Sequence, residues 1–270
     1  MSGTARAQRR ERVAMVTGAS RGIGRAIALA LAGDGYDVAI TARTVVEGTS
    51  TEGLPGSLQA TAAEIEALGR AALQVRLDLL ERDALVPAVE KVLDEWGHLD
   101  VLVNNAIDVG PGNDERFLDV DPAHLERRIF GDLTAQLILS QRALRAMVER
   151  GEGTVVNITS GAGMSDPPGP IGAGGWALGY GCAKGGFHRM AGVVAAELGD
   201  RGIRCYNLEP GFVATERVKA RAQHAWIAEQ GKSPDVVGAV AAWMLRQPDG
   251  AIRNGSTIST DKVGKELSLL

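Results

Sequence analysis

Short apolar runs alternate with helix-length segments along this chain. Residues 13–16, 38–40, 73–77, 101–103, 154–158 and 203–208 are rich in Val, Ile, Leu and Ala, the pattern of strands largely buried on both faces. Residues 256–259 predict a short last strand. Residues 22–31, 61–68, 82–96, 122–149, 179–198 and 234–245 read as helices, and turn signals such as Asp34-Gly35 separate the elements. Two stretches break the alternation. Residues 45–57 are rich in Gly, Thr and Ser, and residues 164–175 are rich in Pro and Gly. Both read as loops, and long loops in compact domains are usually functional or disordered.

Regular alternation of strand and helix predicts an α/β fold. Right-handed crossovers then give a single doubly wound, Rossmann-like domain, with a parallel sheet of about seven strands and helices on both faces. The domain is expected to span 13–270, without repeat or dividing linker. Residues 1–12 carry Arg6, Arg9, Arg10 and Arg12 and read as a flexible N-terminal tail. They lack the apolar core of a secretory signal. No apolar run approaches the ~18 residues needed to cross a bilayer, so no membrane partner is expected.

The bulk composition excludes several functions. With 29 Lys+Arg against 33 Asp+Glu the net charge is -4, which gives nucleic acid no electrostatic hold. Cys182 and Cys205 form no Cys-x-x-Cys pair, and His98, His124, His188 and His224 are scattered. Neither a disulfide framework nor a metal site is implied, and a reducing cytoplasm fits.

The first strand runs into Thr17-Gly18-Ala19-Ser20-Arg21-Gly22-Ile23-Gly24. Gly18, Gly22 and Gly24 permit a tight turn and close approach of backbone to a pyrophosphate, and the following helix would aim its N-terminal amides at the phosphates. The second strand ends at Thr41-Ala42-Arg43-Thr44, where an NAD-binding fold usually places an acid for the ribose 2′-hydroxyl. Asp37 stands at the wrong end of that strand. Arg43, with Arg21 from the other side, can instead pair with a 2′-phosphate, so NADP(H) is favoured over NAD(H). Asp78 and Leu79 follow the third strand. Asp78 can accept a bond from an adenine amino group or cap the next helix. Asn104-Asn105-Ala106 follows the fourth, at the strand ends where ligands bind in this architecture.

Tyr180-Gly181-Cys182-Ala183-Lys184 lies in a predicted helix, and a spacing of four puts Tyr180 and Lys184 on one face. A free phenol, with a pKa of about 10, is a poor acid near neutrality. A nearby ammonium lowers that pKa, so the tyrosine can exchange a proton with a carbonyl oxygen as hydride moves. Ser160, just past the fifth strand, can orient the substrate oxygen, with Thr159 as its local rival.

Taken in order, these motifs resemble the short-chain dehydrogenase/reductase family, over about residues 13–215. They are Thr17-Gly18 to Gly24, Asp78, Asn104-Asn105-Ala106, Ser160, Tyr180, Lys184 and Pro210-Gly211 with Thr215. The resemblance implies that Ser160, Tyr180 and Lys184 are catalytic and that Tyr180 and Lys184 also border the cofactor, Lys184 binding the nicotinamide ribose. It implies that Gly18, Ser20, Arg21, Gly22, Ile23 and Gly24, then Asp78, Leu79, Asn105 and Ala106, line the dinucleotide site. It places the segment containing Pro210, Gly211, Val213 and Thr215 against the nicotinamide. A homotetramer or homodimer, built through the two long helices, is also implied.

Three departures stand out. Ile107 replaces the glycine usually found after Asn-Asn-Ala. Asp132 stands where the family's helix asparagine holds a proton-relaying water, so Asp132 is carried as a fourth catalytic candidate. Thr260-Asp261-Lys262-Val263 replaces the usual end of the last strand. Residues 163–179 are expected to form a substrate loop and 215–232 a lid, with Trp176, Leu178, Phe212, His224 and Trp226 near a small apolar carbonyl or alcohol. The favoured function is hydride transfer between NADP(H) and such a substrate. An NAD-dependent alcohol dehydrogenase and a non-catalytic NADP(H)-binding sensor are the alternatives.

Overall fold

The computed structural model describes residues 11–112, 114–222 and 225–270. Seven parallel strands form one sheet in the order β3-β2-β1-β4-β5-β6-β7. They are β1 (Val13–Thr17), β2 (Asp37–Ala42), β3 (Ala72–Arg76), β4 (Val101–Asn104), β5 (Gly153–Ile158), β6 (Ile203–Glu209) and β7 (Thr257–Ser259). The helices are α1 (Gly22–Gly33), α2 (Leu58–Ala67), α3 (Arg82–Trp96), α4 (Pro122–Ile129), α5 (Ala135–Arg150), α6 (Leu178–Leu198), α7 (Glu216–Lys219), α8 (Ala225–Gln230), α9 (Pro234–Arg246) and α10 (Thr260–Glu266).

The two-residue period of a strand divides the core. Ala14 and Val16 of β1 face a layer containing Ile27, Leu31, Val237 and Val240 of α1 and α9. Val13 and Met15 face the opposite layer, with Val89, Leu139 and Phe187 of α3, α5 and α6. Gly238 lets α1 and α9 cross closely, since a Cβ there would stand 2.6 Å from the Ala26 carbonyl oxygen.

A row of asparagines crosses the sheet toward its carboxyl edge. Asn104, Asn157 and Asn207 are in register on β4, β5 and β6. Asn104 donates to Asn157 at 3.1 Å and to Ser140 at 2.8 Å. Asn157 donates to Asn207 at 3.3 Å, and Asn207 to the His188 carbonyl of α6 at 2.9 Å. All three asparagines are buried. The ladder therefore pairs most of these buried amide groups, Asn104 Oδ1 alone among them being without a partner among the described residues, while tying three strands to two helices.

Several sequence expectations are corrected. The helix expected over 122–149 is interrupted by a π-helical turn at Phe130–Thr134. Hydrophobic periodicity does not register one inserted residue, and such turns often sit at functional sites. The end of the tail is anchored: Arg12 donates to the Asp34 carbonyl at 2.9 Å and to the Tyr36 hydroxyl at 2.6 Å, and stacks on the Tyr36 ring. Residues 1–10 of the tail lie outside the described residues. A final helix, α10, begins at the unusual Thr260-Asp261 segment, with Ser259 capping it.

Asn157→Ala removes the middle of the ladder: Asn104 keeps Ser140 and Asn207 keeps the His188 carbonyl, but Asn207 Oδ1 loses its donor. That loss is expected to cost about 1–2 kcal/mol, lowering Tm by roughly 3–6 °C. An unchanged thermal midpoint by calorimetry would show that the ladder is not structural.

Candidate active site

The carboxyl ends of β1, β4, β5 and β6 gather the predicted residues. Gly18 and Gly22 adopt φ of 68° and 56°, as the tight turn requires. A Cβ on Gly24 would lie 2.4 Å from the Gly18 carbonyl oxygen and 2.5 Å from Asn105 Nδ2, so only glycine fits. Asn105 holds the loop from behind, donating to the Thr17 carbonyl at 2.8 Å and to the Gly18 carbonyl at 3.3 Å. The Thr17 hydroxyl accepts from the backbone amides of Asn105 (2.9 Å) and Ala106 (3.0 Å). Ser20 is buried beside them, and Ile23 packs against the core. Ile107 is accommodated, since among the described residues only Ser268 and glycines have positive φ.

The N-terminus of α1 has no side-chain cap and no acid in its first turn. α2, α4, α7, α9 and α10 begin with side-chain caps from Ser57, Asp121, Thr215, Ser233 and Ser259, while α3, α5 and α6, like α1, do not; of these only α1 follows a glycine turn at the end of β1. An uncapped helix start behind a glycine turn offers amides and a positive dipole end to a diphosphate. A dinucleotide therefore fits the residues present.

Arg21 lies elsewhere than expected. Its guanidinium donates to the carbonyls of Pro55 and Gly56, both at 2.8 Å, and to the Thr44 hydroxyl at 3.3 Å. Its donors hold the loop between β2 and α2, so the predicted 2′-phosphate role is not the one its geometry serves. Arg43 is more open, its contact being Glu52 at 3.5 Å. Asp78 accepts from Leu80 N at 3.0 Å and closes the turn before α3, while the Leu79 side chain is buried in the core.

On α6, the Lys184 ammonium is buried and donates to the Ile158 carbonyl at 2.9 Å, at the end of β5. It lies 6.0 Å from the centre of the Tyr180 ring. Ser160, two residues past Ile158, lies near enough to the Tyr180 phenol to favour its ionised form and accepts from Ala162 N at 3.2 Å. The three predicted catalytic residues thus meet. The Thr159 hydroxyl is buried without a partner among the described residues. Gly163 brings the following loop against α6, since a Cβ there would touch the Lys184 carbonyl. Trp176 covers Gly181 at the other end of that loop.

The electrostatics differ from the expectation in one respect. Burial pushes the Tyr180 phenol up, more than nearby Ser160 lowers it; Asp132 raises it further. Burial also lowers the Lys184 ammonium to about 8, with Asp132 raising it and Arg128 lowering it. The ammonium is thus at the edge of its charged range near neutrality.

Asp132 and Arg128 form a buried ion pair at 3.0 Å within the π-helical turn region. Asp132 also accepts from Asp108 N at 2.6 Å. Its carboxylate is thus engaged by Arg128 and Asp108 and acts on Lys184 through its charge. Burial raises the Asp132 carboxyl, against the opposing charges of Arg128 and Lys184. Arg128 was not anticipated. It is fully buried, its Nε and Nη2 lack partners among the described residues, and its stem packs against Gly179 beside Tyr180. No sequence signal marks it, since an arginine on a charged helix face normally reads as solvated.

The segment 210–215, expected to border the nicotinamide, is held by two further unanticipated residues. The Lys232 ammonium donates to the Pro210 carbonyl at 2.6 Å and pairs with Asp261 at 2.5 Å. It presses against Gly211, whose φ of 64° keeps the backbone beneath it. Val213 is buried, and the Thr215 hydroxyl caps α7 by accepting from Val218 N at 3.4 Å. Phe212 and Trp226 meet edge to face at 4.5 Å, both well exposed. His224 of the expected lid lies outside the described residues. Among those residues no cluster suits a metal ion and no helix is long and apolar enough to cross a membrane.

The short chain dehydrogenase profile matches residues 12–226. A 3-oxoacyl-[acyl-carrier-protein] reductase of Synechocystis is 33% identical over 92% of this chain and 95% of its own length. Among solved structures, a 3-oxoacyl-[acyl-carrier protein] reductase from Brucella melitensis in complex with NAD superposes with a TM-score of 0.77. It is 28% identical, over 94% of this chain and 96% of that one. A short-chain type dehydrogenase/reductase from Mycobacterium marinum gives 0.77 at 27% identity, covering 93% and 94%.

The charges around Lys184 give a signed expectation. Activity that needs the ammonium should fall as pH rises through about 8. Asp132→Asn removes a charge that raises the lysine, so the inflection in kcat should move to lower pH; Arg128→Met should move it higher. Steady-state pH profiles decide, and unmoved inflections would separate this pair from Lys184. Breaking a buried pair should also destabilise each variant by about 3–5 kcal/mol.

Proposed function

The chain belongs to the short-chain dehydrogenase/reductase family, an oxidoreductase family that interconverts CH–OH and C=O groups with NAD(P), and from that premise we propose an NADP(H)-dependent reductase of small apolar ketones. The observation that carries the catalytic reading is the buried Lys184 ammonium, held on the Ile158 carbonyl at 2.9 Å and 6.0 Å from the Tyr180 ring, with Ser160 two residues past Ile158.

The residues have distinct parts. The amides of the glycine turn and the start of α1 would hold the diphosphate, Asp78 would face the adenine, and Arg43 would meet a 2′-phosphate. When bound, the nicotinamide supplies the hydride. Ser160 donates to the substrate oxygen and orients it. Tyr180 delivers its proton to that oxygen as the carbon is reduced, and the Lys184 ammonium stabilises the phenolate that remains. Charge is thereby balanced: one hydride to carbon, one proton to oxygen. In the ligand-free protein burial keeps Tyr180 protonated, which suits the direction of reduction.

Trp176, packed against Gly181 next to Tyr180, and the exposed Phe212–Trp226 pair just past Pro210-Gly211 offer apolar surface, which favours an apolar flank on the ketone. The 3-oxoacyl reductases among the relatives make acyl ketones natural members of a test panel. The free thiols Cys182 and Cys205 suit a reducing cytoplasm. The exposed Val193 on α6 suits self-association through α5 and α6 into a dimer or tetramer.

Tyr180→Phe should lower kcat on the best ketone by about 10²–10⁴-fold while NADPH binding is kept. Equal turnover by the variant would favour a non-catalytic cofactor sensor. Arg43→Ala should weaken NADPH binding by at least about 10-fold and leave NADH binding within roughly 3-fold. Tighter wild-type binding of NADH than of NADPH, by direct titration, would instead favour the NAD-dependent alcohol dehydrogenase.

A further inference from the structure

The loop between β2 and α2 brings an acid, Glu52, to Arg43, the residue just past the end of β2, and that end of β2 has no acid of its own. Arg21 fixes the path of the loop through the Pro55 and Gly56 carbonyls and the Ser50 hydroxyl. Glu47 closes it by accepting from Gly56 N at 2.9 Å. On this loop Glu52 lies among cations. Its carboxylate is gripped at two points by Arg217 of α7, at 2.9 and 3.0 Å, and touched once by Arg43 at 3.5 Å. Partial burial favours the neutral acid, but the bonds and charge of Arg217, with Arg43 and Arg21 behind it, hold Glu52 below its ordinary range.

The two contacts are unequal. A two-point guanidinium–carboxylate pair is strong and directional, whereas a single contact at 3.5 Å is weak. Arg43 can therefore turn to a new anion while Glu52 stays with Arg217. The carboxylate then remains beside the group that Arg43 binds. A 2′-phosphate there meets a fixed negative charge. A 2′-hydroxyl meets a hydrogen-bond acceptor.

We propose that Glu52, positioned by Arg217, is a cofactor-specificity residue: it offsets the preference that Arg43 confers for a 2′-phosphorylated dinucleotide and lets the site also take the unphosphorylated one. This rests on the assignment of Arg43 to the 2′-phosphate. Arg217, from the segment beyond β6, thereby ties the specificity loop to the same segment that borders the nicotinamide.

The test is direct titration of NADPH and NADH into the ligand-free protein, without substrate, at one fixed ionic strength. Glu52→Gln keeps an acceptor for Arg217 and removes the charge; Glu52→Ala removes both and guards against a misfolded first variant. Each should raise the NADPH-over-NADH affinity ratio by roughly 10-fold, mostly through tighter NADPH, with the thermal midpoint of the ligand-free protein little changed. A ratio that stays constant, or moves toward NADH, overturns the proposal and leaves Glu52 a loop brace. Arg43→Ala, run in parallel, separates the two ideas. If it leaves NADPH affinity unchanged, the phosphate assignment fails; if it weakens NADPH while the Glu52 variants leave the ratio unchanged, only the role of Glu52 fails.

Discussion

A buried ammonium resting on the last carbonyl of β5 organises this site. Lys184 belongs to α6 and Ile158 to β5, so their bond at 2.9 Å fixes the helix against the strand end. Ser160 follows Ile158 by two residues and Tyr180 precedes Lys184 by one turn, so the same contact aligns hydroxyl and phenol. The asparagine ladder through Asn157 and Asn207 makes the strand ends rigid enough to serve as that reference. The arrangement is costly, because burial lowers Lys184 to about 8. The cost is present in full below about pH 8 and fades as pH rises toward the ordinary lysine value, where the unfolded chain also loses the proton.

The surrounding charges work on that ammonium from two sides. Asp132 favours its charged form and Arg128 opposes it, and the two hold each other in a dry π-helical turn. A family position usually held by asparagine has therefore become half of an ion pair. The change couples the charge on Lys184 to helix geometry at Phe130–Thr134.

Local features were legible in the sequence. The strands are apolar runs, the glycine turn sits between β1 and α1, and Tyr180 and Lys184 share a helix face through their spacing. What was not legible depends on chain crossings. Arg21 reads as a phosphate ligand until the path of residues 50–56 brings two carbonyls to it. Glu52 and Arg217 are 165 residues apart. Lys232 and Asp261 meet only because β7 pairs with β6 beside Gly211. The π-helical turn escaped because one extra residue barely alters an apolar stripe, and α10 because its first residues, Thr260 and Asp261, resemble a loop.

Single-turnover oxidation of bound NADPH with a ketone, followed across pH in Lys184→Met, measures what the buried ammonium contributes. Methionine has a similar length and no charge at this buried position. The account predicts that hydride transfer slows by at least about 10³-fold and that the inflection near pH 8 disappears, while the protein is as stable as the parent or more so at pH 7. A single-turnover rate within a few-fold of the parent, with the inflection kept, would contradict it.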